Sequence, residues 1–93
     1  MTIALDIVHD PVAGRFETWV EERRCELDYR MQGSTMVITH TGVARQLEGR
    51  GIAAQLVQHA LRWAREQGHR VQPQCSYVSA YMRRHPEWQD LAA

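Results

Sequence analysis

The chain has no lysine; all eleven of its basic residues are arginine. No lysine side chain is therefore available as a base, a Schiff-base former or the cation of a nucleotide-hydrolysing phosphate loop. Only two cysteines occur, Cys25 and Cys75. They are too few for a secreted disulfide framework and too far apart for a CxxC redox or zinc motif, so a reducing compartment is expected. An excess of charge of one sign is also missing, because eleven Asp and Glu balance the arginines. Without that long-range field, general binding to nucleic acid or an anionic membrane is not expected. Long apolar runs are absent too: Met1-Thr2-Ile3-Ala4-Leu5-Asp6 meets an acid after five residues, and no 18-residue apolar stretch follows. The expectation is a cytoplasmic protein with neither signal peptide nor membrane span. His9, His59 and His69 show no metal spacing; they are expected in turns or in solvent, with no metal site.

What is present, 93 residues of which 44% are apolar and 24% charged, suits one ordinary folded domain over residues 1–93. Its first half alternates. Ile3, Leu5 and Ile7 precede a turn at Asp10-Pro11-Val12-Ala13-Gly14, and Phe16, Thr18 and Val20 share a face before the charged corner Glu21-Glu22-Arg23-Arg24. Cys25, Leu27, Tyr29 and Met31 alternate with Glu26, Asp28, Arg30 and Gln32, as in a half-buried antiparallel strand. After Gly33-Ser34, Met36, Ile38 and His40 fall on one face of a fourth strand, and Val37, Thr39, Thr41 and Val43 on the other. The period then changes. From Gly51 to Gln67, Ile52, Leu56, Ala60 and Trp63 recur at helical spacing, and Gly68 is placed to end the helix. His69 to Gln74 is again extended, with Val71 inward and Pro73 limiting its pairing; a short helix follows from Ser76 to Arg84, ended by Pro86. The expected fold is α/β: an antiparallel four-strand meander, a helix, a parallel fifth strand and a short C-terminal helix. Such units bind ligands beyond the C-terminal ends of the parallel strands, at the helix N-terminus.

The loop that enters the long helix, Gln46-Leu47-Glu48-Gly49-Arg50-Gly51-Ile52-Ala53-Ala54, has no Ser, Thr, Asp or Asn to cap it. The first N–H groups of the helix are left to water or to a phosphate, and two glycines let a ligand approach the backbone. A dinucleotide fingerprint would need several βαβ units, of which there is one, and a P-loop would need a lysine.

The ordered series Thr39-His40-Thr41-Gly42-Val43, Leu47-Glu48-Gly49-Arg50-Gly51-Ile52-Ala53, Ala64-Arg65-Glu66-Gln67-Gly68, Pro73-Gln74-Cys75-Ser76-Tyr77-Val78 and Arg83-Arg84-His85-Pro86-Glu87-Trp88 resembles the compact branch of the GNAT acetyltransferases. The resemblance covers most of the chain and is strongest after residue 39. It implies a GNAT-like fold that binds acetyl-CoA as acyl donor. The family motif [QR]xxGx[GA], which wraps the pyrophosphate, is matched at Gly51 and Ala53 but departs at Glu48. Val43, Leu47, Glu48, Gly49, Arg50, Gly51, Ile52, Ala53 and Ala54 are the implied cofactor-binding residues, with Arg84 (or Arg83) as a partner for the 3′-phosphate.

Acyl transfer to an amine needs a base, oxyanion stabilisation and a proton for the leaving thiolate. An imidazole, with an ordinary pKa of about 6.5, suits base work. His40 offers one near the end of the fourth strand, where a structural histidine bonded to a neighbouring strand is the alternative; the resemblance favours catalysis. Gly42 stands where the branch often has Glu. Cys75 ends the fifth strand, where it is a nucleophile, a substrate-orienting group or an inert thiol. Tyr81 lies where GNAT proteins often carry a tyrosine near the CoA sulfur. Cys25 is expected in the core, and His85 and Trp88 as anchors of the C-terminal segment. The expected activity is N-acetyltransfer to an amine. Only four residues separate the first two strands, leaving the acceptor side open and favouring a protein or peptide. The alternative is a CoA-binding interaction module without turnover, and oligomeric state is not readable from the sequence.

Overall fold

The computed structural model describes residues 4–93. Five strands form one sheet in sequential order. β1 (Val8–Asp10), β2 (Arg15–Val20), β3 (Arg23–Gln32) and β4 (Thr35–Gly42) make the antiparallel meander, and β5 (Arg70–Pro73) joins β4 in parallel. Helix α1 (Ile52–Gln67) forms the crossover and α2 (Ser76–Arg84) follows β5. This is the expected α/β architecture. Two short 3₁₀ segments, Arg45–Leu47 and Pro86–Leu91, are additions that the periodicity did not indicate.

The first strand is displaced from its expected place. Of the alternating set Ile3, Leu5 and Ile7, Ile3 lies outside the described residues, while Leu5 and Ile7 are half-buried against the core and precede the strand. The turn decides this: Asp10 Oδ1 accepts the N–H groups of Val12 and Ala13 at 3.1 Å each, which sets His9 opposite Phe16. At the next corner Glu21 and Glu22 have φ of 51° and 63°, giving a tight hairpin without glycine.

Buried Ile52, Leu56, Val57, Ala60, Leu61 and Ala64 of α1 pack in one cluster with Phe16, Cys25, Leu27, Tyr29, Met36 and Ile38 of the sheet. Cys25 is a packing residue, fully buried. Met31, expected inward, is 39% exposed at the end of β3, beside the turn at 33–34. Gly68, at φ 73°, closes α1; its N–H and that of His69 bond to the carbonyls of Arg65 and Ala64. The last segment is held by Arg65 over the Trp88 ring at 4.5 Å and by Ala93 N–H on Val71 O at 2.9 Å, which covers the outer edge of β5.

Two histidines depart from the solvated role expected of them. His9 stacks on Phe16 at 3.9 Å, meets Trp63 edge-on at 4.6 Å and places Nε2 2.5 Å from the Tyr29 hydroxyl. Burial pushes its pKa below the ordinary value, against an opposing pull from Asp10. His69 meets the Trp63 ring edge-on, with ring centroids 5.2 Å apart. Aromatic surface attracts the flat imidazole ring as it does another aromatic, and single-sequence spacing carries no trace of that.

Candidate functional site

β4 and β5 pair only from Thr35–Arg70 to Ile38–Pro73. Their last link is the Ile38 carbonyl, which accepts the N–H groups of Gln74 at 3.0 Å and Cys75 at 3.1 Å. Past it the chain at Cys75 turns into α2, while β4 continues to Gly42. A wedge therefore opens between the two strands at their C-terminal ends.

A bulge in β4 decides what faces that wedge. Tyr29 pairs with Ile38, but Asp28 pairs with His40, so Thr39 is an extra residue without a place in the register. One extra residue reverses the alternation beyond it. His40 therefore does not share the Met36/Ile38 face as the plain period-2 reading has it; it lies with Asp28 and Glu26 on the opposite, solvent-facing side. There its Nε2 is 3.0 Å from Glu26 Oε2. Thr41, opposite Leu27, takes the core side instead.

On the core side a cleft of about 410 Å³ is lined by Thr41, Val43, Leu47, Glu48, Gly49, Gly51, Ile52, Ala53 and Tyr77. A smaller cavity of about 210 Å³, lined by Ala54, Gln58, Tyr77, Ala80, Tyr81, Arg84 and His85, adjoins it through Tyr77. The cleft ends on the start of α1. Gly51, at φ 79°, is the N-cap; no side chain caps the helix and its first turn holds no acid. Gly49 has φ 83°, and a Cβ added at either glycine would meet nothing within 4 Å. The glycines thus supply the left-handed backbone and leave open space above the free N–H groups, an arrangement suited to an anion.

Of the residues singled out in sequence, Val43, Leu47, Glu48, Gly49, Gly51, Ile52 and Ala53 line the cleft, and Ala54 and Arg84 the adjoining cavity. Arg50 does neither. Its guanidinium is bound 2.5 Å from Glu21 Oε2 and 3.4 Å from the Gln46 carbonyl, tying the glycine loop to the β2–β3 corner. Arg83 bonds to Ser79 Oγ at 3.0 Å. Thr41 and Tyr77 line the cleft without having been singled out. Thr41 is hidden in sequence by the bulge, and Tyr77 by its position in the first turn of a short helix, where no periodicity is yet established.

Cys75 Sγ is 3.6 Å from Thr41 Oγ1. Burial, the largest single influence, raises the thiol's pKa. The N–H groups of Val78, Tyr77 and Thr41 and the Thr41 hydroxyl together outweigh it and hold the thiol below its ordinary value. Cys75 lines neither cavity, and the groups in contact with it do not include His40, whose ring bonds to Glu26. Tyr81 lines the second cavity; its hydroxyl is buried without a hydrogen-bond partner and its ring stacks on His85 at 3.9 Å. His85 Nδ1 donates to the Tyr81 carbonyl at 2.8 Å. Among the described residues no cluster of His, Cys, Asp and Glu has metal-binding geometry, and no helix is long and apolar enough to cross a membrane.

Parallel strands splayed over an uncapped, glycine-walled helix start, at the end of an antiparallel meander, are the architecture of the GNAT acyltransferases. A family model described as GCN5-related N-acetyl-transferase matches residues 15–91. The chain is also similar to the NMR solution structure of a GCN5-like protein from Staphylococcus aureus, with TM-score 0.78 and 25% identity over 96% of this chain and 88% of that one. No match was found among curated proteins. The chain belongs to the GCN5-related N-acetyltransferase family.

Proposed function

We propose that residues 1–93 act as one acetyl-CoA-dependent N-acetyltransferase domain in the cytoplasm, with an amine of a protein or peptide as acceptor. The observation that carries this reading is the cleft running from the β4–β5 wedge to the N-terminus of α1. The residues present fit such a ligand: Gly49 and Gly51 leave room above the free N–H groups, and Tyr81, whose buried hydroxyl has no partner, lines the adjoining cavity. Leu47 to Ala54 would hold the pyrophosphate by backbone N–H groups and the helix dipole, with Val43 alongside; Arg84 shares a cavity with Tyr81, which sets it beside the thiol-bearing arm and not at the 3′-phosphate. Arg50 shapes the loop through Glu21 and is the weakest member of the set. When bound, acetyl-CoA supplies the activated acyl group.

His40, which lines neither cavity, then serves as base from the outer side of the sheet, across the β4–β5 wedge past Ile38, and Tyr81 as proton source for the departing thiolate. Cys75, through Thr41, forms the wall of the thioester end and does not itself carry the acyl group. An acceptor ammonium loses two protons overall: one ends on the CoA thiol and the other in solvent. A polypeptide acceptor is supported by the open outer face, where Val8 and Trp19 are 56% and 65% exposed. The register there places Val8, Glu17, Glu26 and Gly42 in one row across four strands, so two carboxylates lead towards the His40 end.

Calorimetry with CoA tests the reading. Wild type binds, and Gly51→Asp, which sets a carboxylate in the place of the pyrophosphate and strains a left-handed position, loses binding roughly tenfold or more while remaining folded. A folded wild type that ignores millimolar CoA, or a variant that binds equally well, refutes the site. Labelled acetyl trapped on Cys75 in the absence of acceptor would replace direct transfer by a covalent relay.

A further inference from the structure

Glu26 and Gly42 are cross-strand partners of β3 and β4. A side chain at position 42 would bring its Cβ to 2.0 Å from Glu26 Oε2 and 2.9 Å from His40 Nε2. Gly42 does not occupy the left-handed region, so its backbone would accept another residue; what it provides is the space into which the carboxylate folds. Glu26 is 15% exposed there, with Oε1 3.4 Å from Arg24 Nε and Oε2 3.0 Å from His40 Nε2. An ionised carboxylate only accepts hydrogen bonds. The proton of a neutral His40 ring must then sit on Nε2, leaving the lone pair on Nδ1, which has no partner among the described residues.

We propose that Glu26, admitted by Gly42, is a positioning residue that fixes the tautomer of His40 and makes Nδ1 its basic atom. The inference rests on the reading of His40 as the base. In that step the acceptor's ammonium gives one proton to Nδ1, the resulting imidazolium donates from Nε2 to Glu26, and the ring afterwards releases the Nδ1 proton to solvent. A partly solvated pair of this kind adds little to stability. Its effect lies in orientation and in excluding the tautomer that would turn an N–H towards the amine.

The test is ¹⁵N spectroscopy of histidine-labelled protein over a pH series, read on the alkaline plateau where the His40 signals no longer move with pH. It is paired with transfer assays using acetyl-CoA and a library of amine-bearing peptides. Wild-type His40 is expected in the Nε2–H form. Glu26→Gln, whose amide can donate to Nε2, and Gly42→Ala, whose methyl displaces the carboxylate, should each lose that bias. Each should lower kcat roughly tenfold with KM for acetyl-CoA unchanged, less than a buried acid would because this pair is partly exposed. Since both break one contact, the double variant should be no slower than the slower single variant. Thermal melts establish that each variant is folded, and the spectra decide the tautomer without any acceptor. An Nε2–H signal unchanged in both folded variants overturns the inference. So do wild-type rates in both variants when His40→Ala has lost activity. A His40→Ala protein that keeps the wild-type rate removes the base reading itself, and the positioning role of Glu26 with it.

Discussion

At the scale of single residues, the two cysteines differ by what surrounds the sulfur. Cys25 is fully buried, and desolvation pushes its thiol up. Cys75, at the start of α2, faces N–H groups and the Thr41 hydroxyl that favour the thiolate. Because the thiolate is the reactive form, a lowered pKa means that reaction sets in at lower pH. Cys75 should therefore be alkylated by iodoacetamide below the pH at which an ordinary thiol reacts, while Cys25 stays unmodified until the protein unfolds. Thr41→Val removes one donor, so the onset for Cys75 should move to higher pH. Peptide mapping by mass spectrometry over a pH series reads both effects, and an onset unmoved by Thr41→Val would show that the hydroxyl contributes nothing. Neither environment is visible in the spacing of the cysteines, because the contacts join residues 34 apart in the chain.

Among the elements, the β2–β3 corner is where local chemistry disagrees with the backbone. Glu21 and Glu22 both occupy the left-handed region, where a side chain costs roughly 1–2 kcal/mol per residue. Glu21 also forms an exposed ion pair with Arg50, which joins this corner to the glycine loop and offsets only a small part of that cost. Glu22 has no comparable bond in the described structure beyond its place in the turn. Glu22→Gly should stabilise the protein by about 1 kcal/mol, raising Tm by about 4–8 °C for a domain of this size. Glu21→Gly should gain less, since it also frees Arg50. Thermal melts of the two variants compare them, and a lower Tm for Glu22→Gly would show that the turn is not strained. The charged corner itself was readable in sequence. Its handedness was not, because the preferred two-residue hairpin turn is normally announced by glycine or asparagine.

For the whole molecule, the sheet, α1 and α2 together decide whether the cleft is a generic anion pocket or one suited to CoA. The N–H groups at the start of α1 would grip any pyrophosphate. Discrimination has to come from the wedge beyond Ile38 and from the adjoining cavity around Tyr77, Tyr81 and Arg84. CoA should therefore raise Tm more than NADP or ATP at equal concentration. A ligand at 100 times its Kd contributes about 2.7 kcal/mol by mass action. Equal shifts from all three would reduce the cleft to an anion site and remove the argument for the acyl donor.

The sequence alone determined the elements whose signals are local: the clean alternation of β3, the 3.6-residue period of α1 with Gly68 at its end, the Pro86 stop after α2, and the uncapped glycine loop between β4 and α1. Backbone geometry and solvent contrast repeat along the chain at fixed intervals, so these can be read from neighbours a few residues apart. Tertiary structure alone decided the start of β1, the inclusion of His9 and His69 in an aromatic cluster, and the side of the sheet on which His40 lies. That last reversal comes from one extra residue, Thr39, which pairing with β3 leaves out of register. A bulge is a property of two strands at once, and nothing in the residue types along β4 marks where it falls. The fit of Glu26 beside Gly42 has the same origin: sixteen positions apart in sequence, the two become neighbours only when β3 and β4 are paired.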